Sequence, residues 1–286
     1  MTATRTLTRQ AFTAFGGGAC EVLACEASDH AVSAAVADTY AFETALTRFD
    51  PRSELSRFNR SAGDRVVVSS LLEALLRAAL KAFELSEGLV NAACHDALVD
   101  AGYDRTITAV RRTPPATVNE REDRALPALP DVLAVGDGWA MLSSGCAIDL
   151  GGVGKGWLAD RLSERFNNAV VNLGGDLRAR GDGPDGDGWP LGLCDGRVVM
   201  LRDAGAATSG ASGRCWPGGH HLIDPRIGKP ARTDAAAISV VAGNAFTAEV
   251  LAKAACVLGS AEAAGWLRSR GAVRHAAIWS ATFATV

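Results

Sequence analysis

The chain has 286 residues, of which 48% are hydrophobic and 21% charged, and its formal net charge is -3 at pH 7. This composition is typical of an ordinary globular protein and argues against a disordered chain. The slight negative charge argues against nucleic acid as a partner. The length permits either one large domain or two modest ones.

The first 18 residues contain two arginines but lack the apolar run, roughly 7–15 residues long, of a secretory signal. No window reaches the roughly 18 consecutive apolar residues of a membrane span. We therefore expect a cytoplasmic protein without membrane insertion. The seven cysteines are scattered and form no C-x-x-C pair, which favours reduced thiols over a disulfide framework or a zinc site.

Two helices are predicted early in the chain from apolar residues at helical spacing. The first covers residues 29–49, with Asp29 as its cap and Pro51 beyond its end. The second runs from Ser69 to Glu87, is amphipathic, and is expected to pack on a sheet. Residues 105–130 mix prolines with charges of both signs, which predicts a surface loop or linker.

From residue 131 onward, short β-branched runs alternate with glycine-rich turns, which predicts a half of the chain dominated by strands. The predicted strands lie around 131–135, 146–150, 169–173, 189–193, 197–201, 236–242 and 272–279. Helices are predicted near Gly154, near Thr247 and at 260–269. These elements predict the α+β class.

The segment AIDLGGVGKGWLADRL, residues 147–162, is predicted to be a strand, a glycine-rich turn and the start of a helix. Such a turn presents backbone N–H groups and a helix N-terminus to an anion, which favours phosphate binding. It is not a Walker A loop, because Asp149 replaces the first glycine and Gly156 follows Lys155. Turn geometry alone accounts for the glycines equally well, but Lys155 is one of only four lysines and favours phosphate.

Three later segments each permit both a functional and a purely structural interpretation. In VVNLGGDLRARG, residues 170–181, the glycine pair predicts either a close approach to a ligand or a hairpin or bulge. His221 can transfer a proton near neutral pH or serve only in the fold. Glu249 and Lys253 stand four apart on a predicted helix, a spacing that forms ion pairs of about 0.2–0.5 kcal/mol when exposed.

Taken in order, these segments resemble the ApbE family of FAD:protein FMN transferases over nearly the whole chain. The segments that carry the resemblance are FDPRSELSRFNR (49–60), IDLGGVGKGWLADR (148–161), VVNLGGDLRARG (170–181), ATSG (207–210), HHLIDPRIGKPA (220–231) and TAEVLAKAACVLG (247–259). The resemblance implies one α+β domain over residues 1–286, related to the T-fold, with mixed sheets and flanking helices. It also implies two closely joined lobes with FAD in the cleft between them.

The reaction that the resemblance implies uses Mg2+ to cut the diphosphate of FAD. The FMN phosphoryl passes to a Thr or Ser hydroxyl of an FMN-binding acceptor protein, and AMP is released. By position, His221 matches the histidine that deprotonates or orients the acceptor hydroxyl, and the backbone carbonyl of Gly154 matches a metal ligand. The positions that match flavin contacts are Asn59, Gly151, Gly152, Lys155, Trp157, Ser209 and Asp224.

The chain departs from the family pattern at the metal site, where many members carry Asp and Thr four residues apart. Here these positions are Glu249 and Lys253. A charged lysine cannot ligate a metal. Either Glu249 and the Gly154 carbonyl still hold Mg2+ with more water, or the Lys253 ammonium supplies part of the positive charge itself. We favour the second alternative and count Lys253 with His221 as catalytic.

Two further departures are Val90–Ala93, where relatives read F-D-P-T, and Phe15–Gly17, where they read M-G-T. They leave open an FAD-binding relative without transfer. A second alternative function is a metal-dependent pyrophosphatase that releases free FMN and AMP. Residues 209–212 also look like a flavinylation acceptor sequence, but we assign them to the family's own T-S-G pocket motif.

Overall fold

The computed structural model of the chain describes residues 5–113, 122–217, 219–270, 272 and 274–279. Its α+β architecture confirms the predicted class. The helices are α1 (Asp29–Leu46), α2 (Glu54–Arg60), α3 (Ser70–Leu85), α4 (His95–Asp100), α5 (Ile107–Arg112), α6 (Leu129–Val132), α7 (Gly154–Ser163), α8 (Ala245–Leu258) and α9 (Ala263–Ser269), with a 3-10 turn at Ala92–Cys94. No helix in this part of the chain is long and apolar enough to cross a membrane.

The central layer is a seven-stranded antiparallel sheet in the order β1-β2-β6-β7-β10-β15-β16. Its strands are β1 (Leu7–Ala14), β2 (Gly18–Cys25), β6 (Ala169–Leu173), β7 (Asp176–Arg180), β10 (Gly205–Ser209), β15 (Ala235–Ala242) and β16 (Arg274–Trp279). The smaller sheets contain β3 (Arg65–Val67), β4 (Leu133–Gly136), β5 (Trp139–Leu142), β8 (Trp189–Gly192), β9 (Val198–Leu201), β11 (Cys215–Trp216), β12 (Gly219–His220), β13 (Ile223–Asp224) and β14 (Lys229–Pro230).

The central sheet is covered on both faces. Helices α1, α7 and α8 contact its strands. The β8–β9 hairpin packs on the opposite face, where Leu177 and Ala179 of β7 meet Trp189. Because side chains alternate along a strand, Asp176 of β7 points to the helical face. This alternation brings a carboxylate of the sheet toward α7 and α8.

Helices α7 and α8 are held together by a carboxylate of α7 that caps the first turn of α8. Both oxygens of Asp160 in α7 accept hydrogen bonds, one from the backbone N of Ala245 and one from that of Phe246, each at 2.9 Å. The side chain of Asn244 completes the cap by accepting from the N–H of Thr247 at 2.7 Å. These contacts satisfy free donors of the first turn and fix the two helices side by side.

Both long helices predicted near the N-terminus are present. The cap of α1 is Ser28, whose side chain accepts from Ala31, so the prediction of Asp29 as the cap is wrong. Asp29 is instead the acidic residue of the first turn, where its negative charge interacts favourably with the helix dipole. The cap of α3 is Ser69, as predicted. The buried side of α3 packs against β4 of a small sheet, as predicted, and against α6, α7 and α8.

Two other predictions need correction. Residues 146–150 are not a strand, because both backbone groups of Ile148 bond to the side chain of Asn59 and none of these residues pairs with a strand. The predicted loop at 105–130 contains α5, which forms because Ile107 and Val110 bury one face beside Tyr103. Residues 114–121 of that loop lie outside the described residues.

The hairpin alternative for residues 170–181 is confirmed. Strands β6 and β7 pair from Leu173 with Asp176, which leaves Gly174 and Gly175 as a two-residue turn. Both glycines have positive φ, at 67° and 96°, which a tight hairpin with right-handed twist requires. The turn also adjoins α7, because a Cβ added at Gly174 would lie 3.8 Å from Cδ of Lys155.

Candidate active site

A cavity of about 230 Å³ lies where the turn before α7 meets α1, α3, α8 and the segment before β13. Its lining combines apolar side chains with charged groups. The residues of the lining that matter for chemistry are Arg48, Asp149, Gly151, Gly152, Gly154, Lys155, Arg214, His221 and Lys253. Concave sites with a few convergent polar groups are the usual places for ligand binding.

The turn of residues 149–153 is fixed by the residues on either side of it. Asn59 holds Ile148 through two hydrogen bonds of 2.9 and 3.0 Å. Asp149 accepts from the N–H of Gly151 at 2.8 Å and forms a salt bridge of 2.7 Å with Arg48. Arg48 itself lies over the ring of Tyr103, 4.6 Å from the ring centre. The turn is therefore preorganised by the protein itself.

Four charged side chains form a buried cluster where α7, β7 and α8 meet. Glu249 is fully buried, and its Oε1 lies 2.8 Å from Nζ of Lys253 and 3.1 Å from Nζ of Lys155. The other oxygen, Oε2, accepts from the N–H of Gly156 at 2.9 Å. Lys155 also forms a salt bridge with the buried Asp176. Two cations and two carboxylates thus share one site.

The pKa values of this cluster follow from burial and from the neighbouring charges. Burial raises the pKa of Glu249, but the charges of Lys155 and Lys253 outweigh burial and lower it to about 2. For Asp176, burial and the charge of Glu249 raise the pKa to about 6. Burial lowers the pKa of Lys155, yet Asp176 and Glu249 raise it overall. Lys155 and Glu249 are therefore charged at neutral pH.

The two adjacent histidines have different surroundings. His220 is buried, accepts from the N–H of Leu222 at Nδ1 (3.2 Å) and donates from Nε2 to the carbonyl of Ala231 (3.0 Å). His221 lines the cavity, and its Nδ1 faces the carbonyl oxygen of Arg214 at 3.3 Å. A proton on Nδ1 leaves the lone pair of Nε2 available as a base. The position of His221 on the cavity wall is compatible with the predicted base, and its role stays a prediction.

The pKa of His221 lies well below its usual value. The main cause is burial, and the positive charges of Arg214 and Lys253 act in the same direction. The imidazole is consequently neutral at neutral pH. A neutral imidazole with a free nitrogen on the cavity wall is available to accept a proton.

The sequence model of the ApbE family matches residues 12–278 of this chain. The chain belongs to the ApbE family. It is 32% identical to the FAD:protein FMN transferase of Treponema pallidum over 253 residues, which cover 76% of this chain and 68% of that protein. It is 24% identical to the enzyme of the same name from Haemophilus influenzae over 245 residues, 76% of this chain and 69% of that one.

Solved structures of ApbE proteins share the fold. The apo form of the flavinyl transferase ApbE of Pseudomonas stutzeri superposes with a TM-score of 0.78 at 18% identity, over 98% of this chain and 97% of the other. The ApbE protein of Thermotoga maritima superposes with a TM-score of 0.77 at 24% identity, over 96% and 98% of the two chains. The mixed architecture predicted from the family resemblance is confirmed.

Several of the predicted site residues of this ApbE chain lie together on the cavity, namely Gly151, Gly152, Gly154, Lys155, His221 and Lys253. Glu249 lies directly behind Lys155 and Lys253. Asn59 does not line the cavity, and its side chain bonds to the backbone of Ile148 before the glycine turn. Trp157 stacks on Phe42, a residue of the cavity wall, with ring centres 6.1 Å apart.

Ser209 and Asp224 are not on the cavity wall. Ser209 is buried at the end of β10 and pairs with Ile238. Asp224 is buried, accepts from the backbone N–H of Arg226 at 2.9 Å, and forms a 2.8 Å salt bridge with the Arg226 side chain. The contacts of Asp224 with Arg226 account for a role in shaping that turn, and the assignment of Ser209 and Asp224 to flavin binding stays a prediction.

The residues present do not fit a Mg2+ site. Both oxygens of Glu249 already accept hydrogen bonds, and two ammonium groups stand where a cation would have to bind. Among the described residues, no three His, Cys, Asp or Glu side chains are grouped so as to hold a metal ion. Gly154, the other predicted ligand, begins α7, and its amide donates to the carbonyl of Leu150 at 3.0 Å.

Sequence reasoning did not assign Asp176, Arg214 or the Arg48–Asp149 pair to the site. Asp176 was visible beside the glycine pair, but its partner Lys155 is 21 residues away and meets it only through the packing of α7 on β7. Arg214 carries no local signal, because it lies in a short irregular segment before β11. The two departures from the family pattern do reach the cavity, since Phe15, Gly16, Val90, Asn91 and Ala92 all line it.

Replacing Gly156 by alanine is expected to lower the free energy of unfolding by about 1–3 kcal/mol, because overpacking costs that much. The added Cβ would lie 2.6 Å from the carbonyl oxygen of Ala245 and 3.0 Å from Oε2 of Glu249. Urea unfolding of the purified variant measures this loss. The matched control is Gly265→Ala in α9, where nothing lies within 4 Å of the added Cβ. That control should be neutral or stabilising through helix propensity. Equal stability of both variants would show that α7 and α8 are not in close contact.

Proposed function

We propose that this chain is an FAD:protein FMN transferase. It cleaves the diphosphate of FAD, attaches FMN through a phosphoester bond to a Thr or Ser of an acceptor protein, and releases AMP. The observation that carries the proposal is the meeting of a neutral His221 imidazole, a preorganised glycine turn and the Lys155–Glu249–Lys253 group on one cavity. The names of the curated relatives support the same activity.

In the proposed reaction FAD lies in this cavity, with its diphosphate against Gly151, Gly152 and Lys253. Nε2 of His221 takes the proton of the acceptor hydroxyl, and the hydroxyl oxygen attacks the phosphorus on the FMN side. The bond from that phosphorus to the bridging oxygen breaks, and AMP leaves with the electron pair. Positioning and charge neutralisation are the main requirements of such a transfer.

We propose that the Lys253 ammonium contributes the positive charge that a metal ion would supply. Its Nζ is 2.8 Å from Glu249, and its side chain is 12% exposed at the cavity wall. Glu249 holds it in place, so that it acts as a fixed cation beside the diphosphate. Gly152 borders the Lys253 side chain, since a Cβ added there would make an ordinary contact of 3.8 Å with Cε of Lys253.

The function is tested by incubating the purified chain with FAD and an FMN-binding acceptor domain, and then measuring the acceptor mass and the nucleotide products. An acceptor that gains one FMN, with AMP in equal amount, supports transfer. AMP with free FMN and an unmodified acceptor would identify an FAD pyrophosphatase. Bound FAD with no products would identify a flavin-binding relative. The cytoplasmic location and the single domain over residues 1–286 stay predictions.

The rate of transfer is expected to stay constant between pH 8 and about pH 6.5, the ordinary pKa of histidine. The active form of His221 is the unprotonated one, and its pKa is lowered by burial and by Arg214 and Lys253, so protonation begins at a lower pH. The test is the pH profile of the rate at saturating FAD. Asp176, whose pKa is about 6, is the other group that titrates near this range. The pH profile of the Asp176→Asn variant separates the titration of His221 from that of Asp176. A loss of wild-type activity already between pH 8 and 7 would contradict the assignment of His221 as the base.

A further inference from the structure

One cation on the cavity wall differs from the others. Arg48, Lys155 and Lys253 each form a salt bridge with a buried or half-buried carboxylate. Arg214 also lines the cavity, but within the described ranges no carboxylate lies within salt-bridge distance of it. Its guanidinium therefore keeps a full positive charge without an acidic partner from this part of the chain.

The polar contacts of the Arg214 side chain within the described residues are to uncharged oxygens. One guanidinium nitrogen, Nη2, donates to the carbonyl oxygen of Phe15 at 3.1 Å, and the hydroxyl of Tyr103 is its other polar neighbour. The charge of Arg214 lowers the pKa of both Lys155 and His221. An anion placed in the cavity would be attracted by the charges of Arg214 and Lys253.

The position of Arg214 is fixed by its backbone. Its carbonyl oxygen accepts from the N–H of His221 at 3.1 Å and faces Nδ1 of the same residue at 3.3 Å. The preceding carbonyl, that of Gly213, accepts from Nη2 of Arg111 at 2.8 Å. The residue that orients the imidazole thus also carries the unpaired guanidinium. A planar guanidinium can bind two phosphate oxygens at once.

We propose that Arg214 binds the diphosphate of FAD and neutralises the charge that develops on it as the bond to AMP breaks. This assignment rests on the proposed function and adds a substrate-binding residue to it. The guanidinium forms and breaks no covalent bond. It acts together with Lys253, because both line the cavity and both lower the pKa of His221.

The test compares the wild-type chain with Arg214→Met and Arg214→Lys. Equilibrium binding of ADP, FAD and riboflavin is measured first, because only riboflavin lacks phosphate. For Arg214→Met we expect binding of ADP and FAD to weaken by about 10- to 100-fold, the effect of a lost charge-assisted hydrogen bond, with riboflavin binding changed less than about twofold. The rate at saturating FAD should fall by about 10²-fold. Arg214→Lys should recover part of both losses. Arg165→Met, which removes a surface arginine paired with Asp38, is the matched control.

Several outcomes would overturn the assignment. One is ADP binding by Arg214→Met equal to that of the wild type, and another is an equal loss for riboflavin, which would assign Arg214 to cavity shape alone. Failure of the proposed function looks different: the wild type binds ADP and FAD, Arg214→Met does not, and no acceptor is flavinylated. A wild type that binds neither nucleotide would refute both. If thermal melting shows that Arg214→Met is unfolded, ADP binding by Arg214→Lys becomes the deciding measurement. An ADP affinity of Arg214→Lys equal to that of the wild type would count against bidentate binding by Arg214.

Discussion

Replacing His221 by alanine is expected to lower the rate of FMN transfer by about 10²- to 10⁴-fold, the usual contribution of a positioned general base. The affinity for FAD should stay within about twofold of the wild type, because the imidazole acts on the acceptor hydroxyl. Acceptor mass against time measures the rate, and flavin fluorescence measures FAD binding. The two readouts together separate loss of the base from loss of the cavity.

The matched control for this variant is His30→Ala, which removes an exposed histidine of α1. It should transfer FMN at the wild-type rate. His220 is not a suitable control, because it is buried and both of its ring nitrogens bond to backbone groups. Transfer by His221→Ala within about threefold of the wild type would refute the assignment of the base, since even a weak general base contributes more than that.

The helices and strands that were predicted correctly are those whose sequence signal lies in neighbouring residues. Helix α3 begins after Ser69 because serine caps a helix by its side chain, and the amphipathic spacing alone places its buried residues. Strand β15 could be predicted from a β-branched run that is buried between β10 and β16. The β1–β2 hairpin was missed, since the edge strand β1 buries only Ala14 and half of its residues are polar.

The site shows the same division between local and distant signals. His221 and Lys155 could be identified from the residues around them, because their segments resemble the family in letters and order. The role of Asp176 depends on which face of β7 it occupies and on the docking of α7, so no single segment reveals it. Residues 146–150 were wrongly predicted as a strand because the sequence does not show that Asn59 takes the hydrogen bonds of Ile148.

The charged cluster shows why a lysine can stand at position 253. A lone buried ammonium would lose its proton or destabilise the fold. Here Glu249 lies 2.8 Å from it, Lys155 shares the same carboxylate oxygen, and the N–H of Gly156 binds the other. The carboxylates of Glu249 and Asp176 balance most of the positive charge of Lys155 and Lys253 within the cluster. Lys253 remains at the cavity wall, where an anion can bind.

Removal of divalent cations is expected to leave the transfer activity of the wild-type chain unchanged, whereas Lys253→Met should lower it by about 10²- to 10³-fold, the typical loss when one preorganised donor is removed. Activity after dialysis against EDTA measures the first effect, and initial rates measure the second. Lys81→Met is the matched control, because Lys81 is exposed on α3 and pairs only with Glu84 among the described residues. It should retain full activity.

The Lys253→Thr variant tests the same idea in the opposite direction. It removes the ammonium next to Glu249 and supplies a hydroxyl oxygen, a ligand type that Mg2+ accepts. We expect calorimetric titration to detect Mg2+ binding to Lys253→Thr and none to the wild type, and we expect the activity of the variant to depend on added Mg2+. Complete loss of wild-type transfer in EDTA, with recovery on addition of Mg2+, would show that a metal ion and not Lys253 supplies the charge.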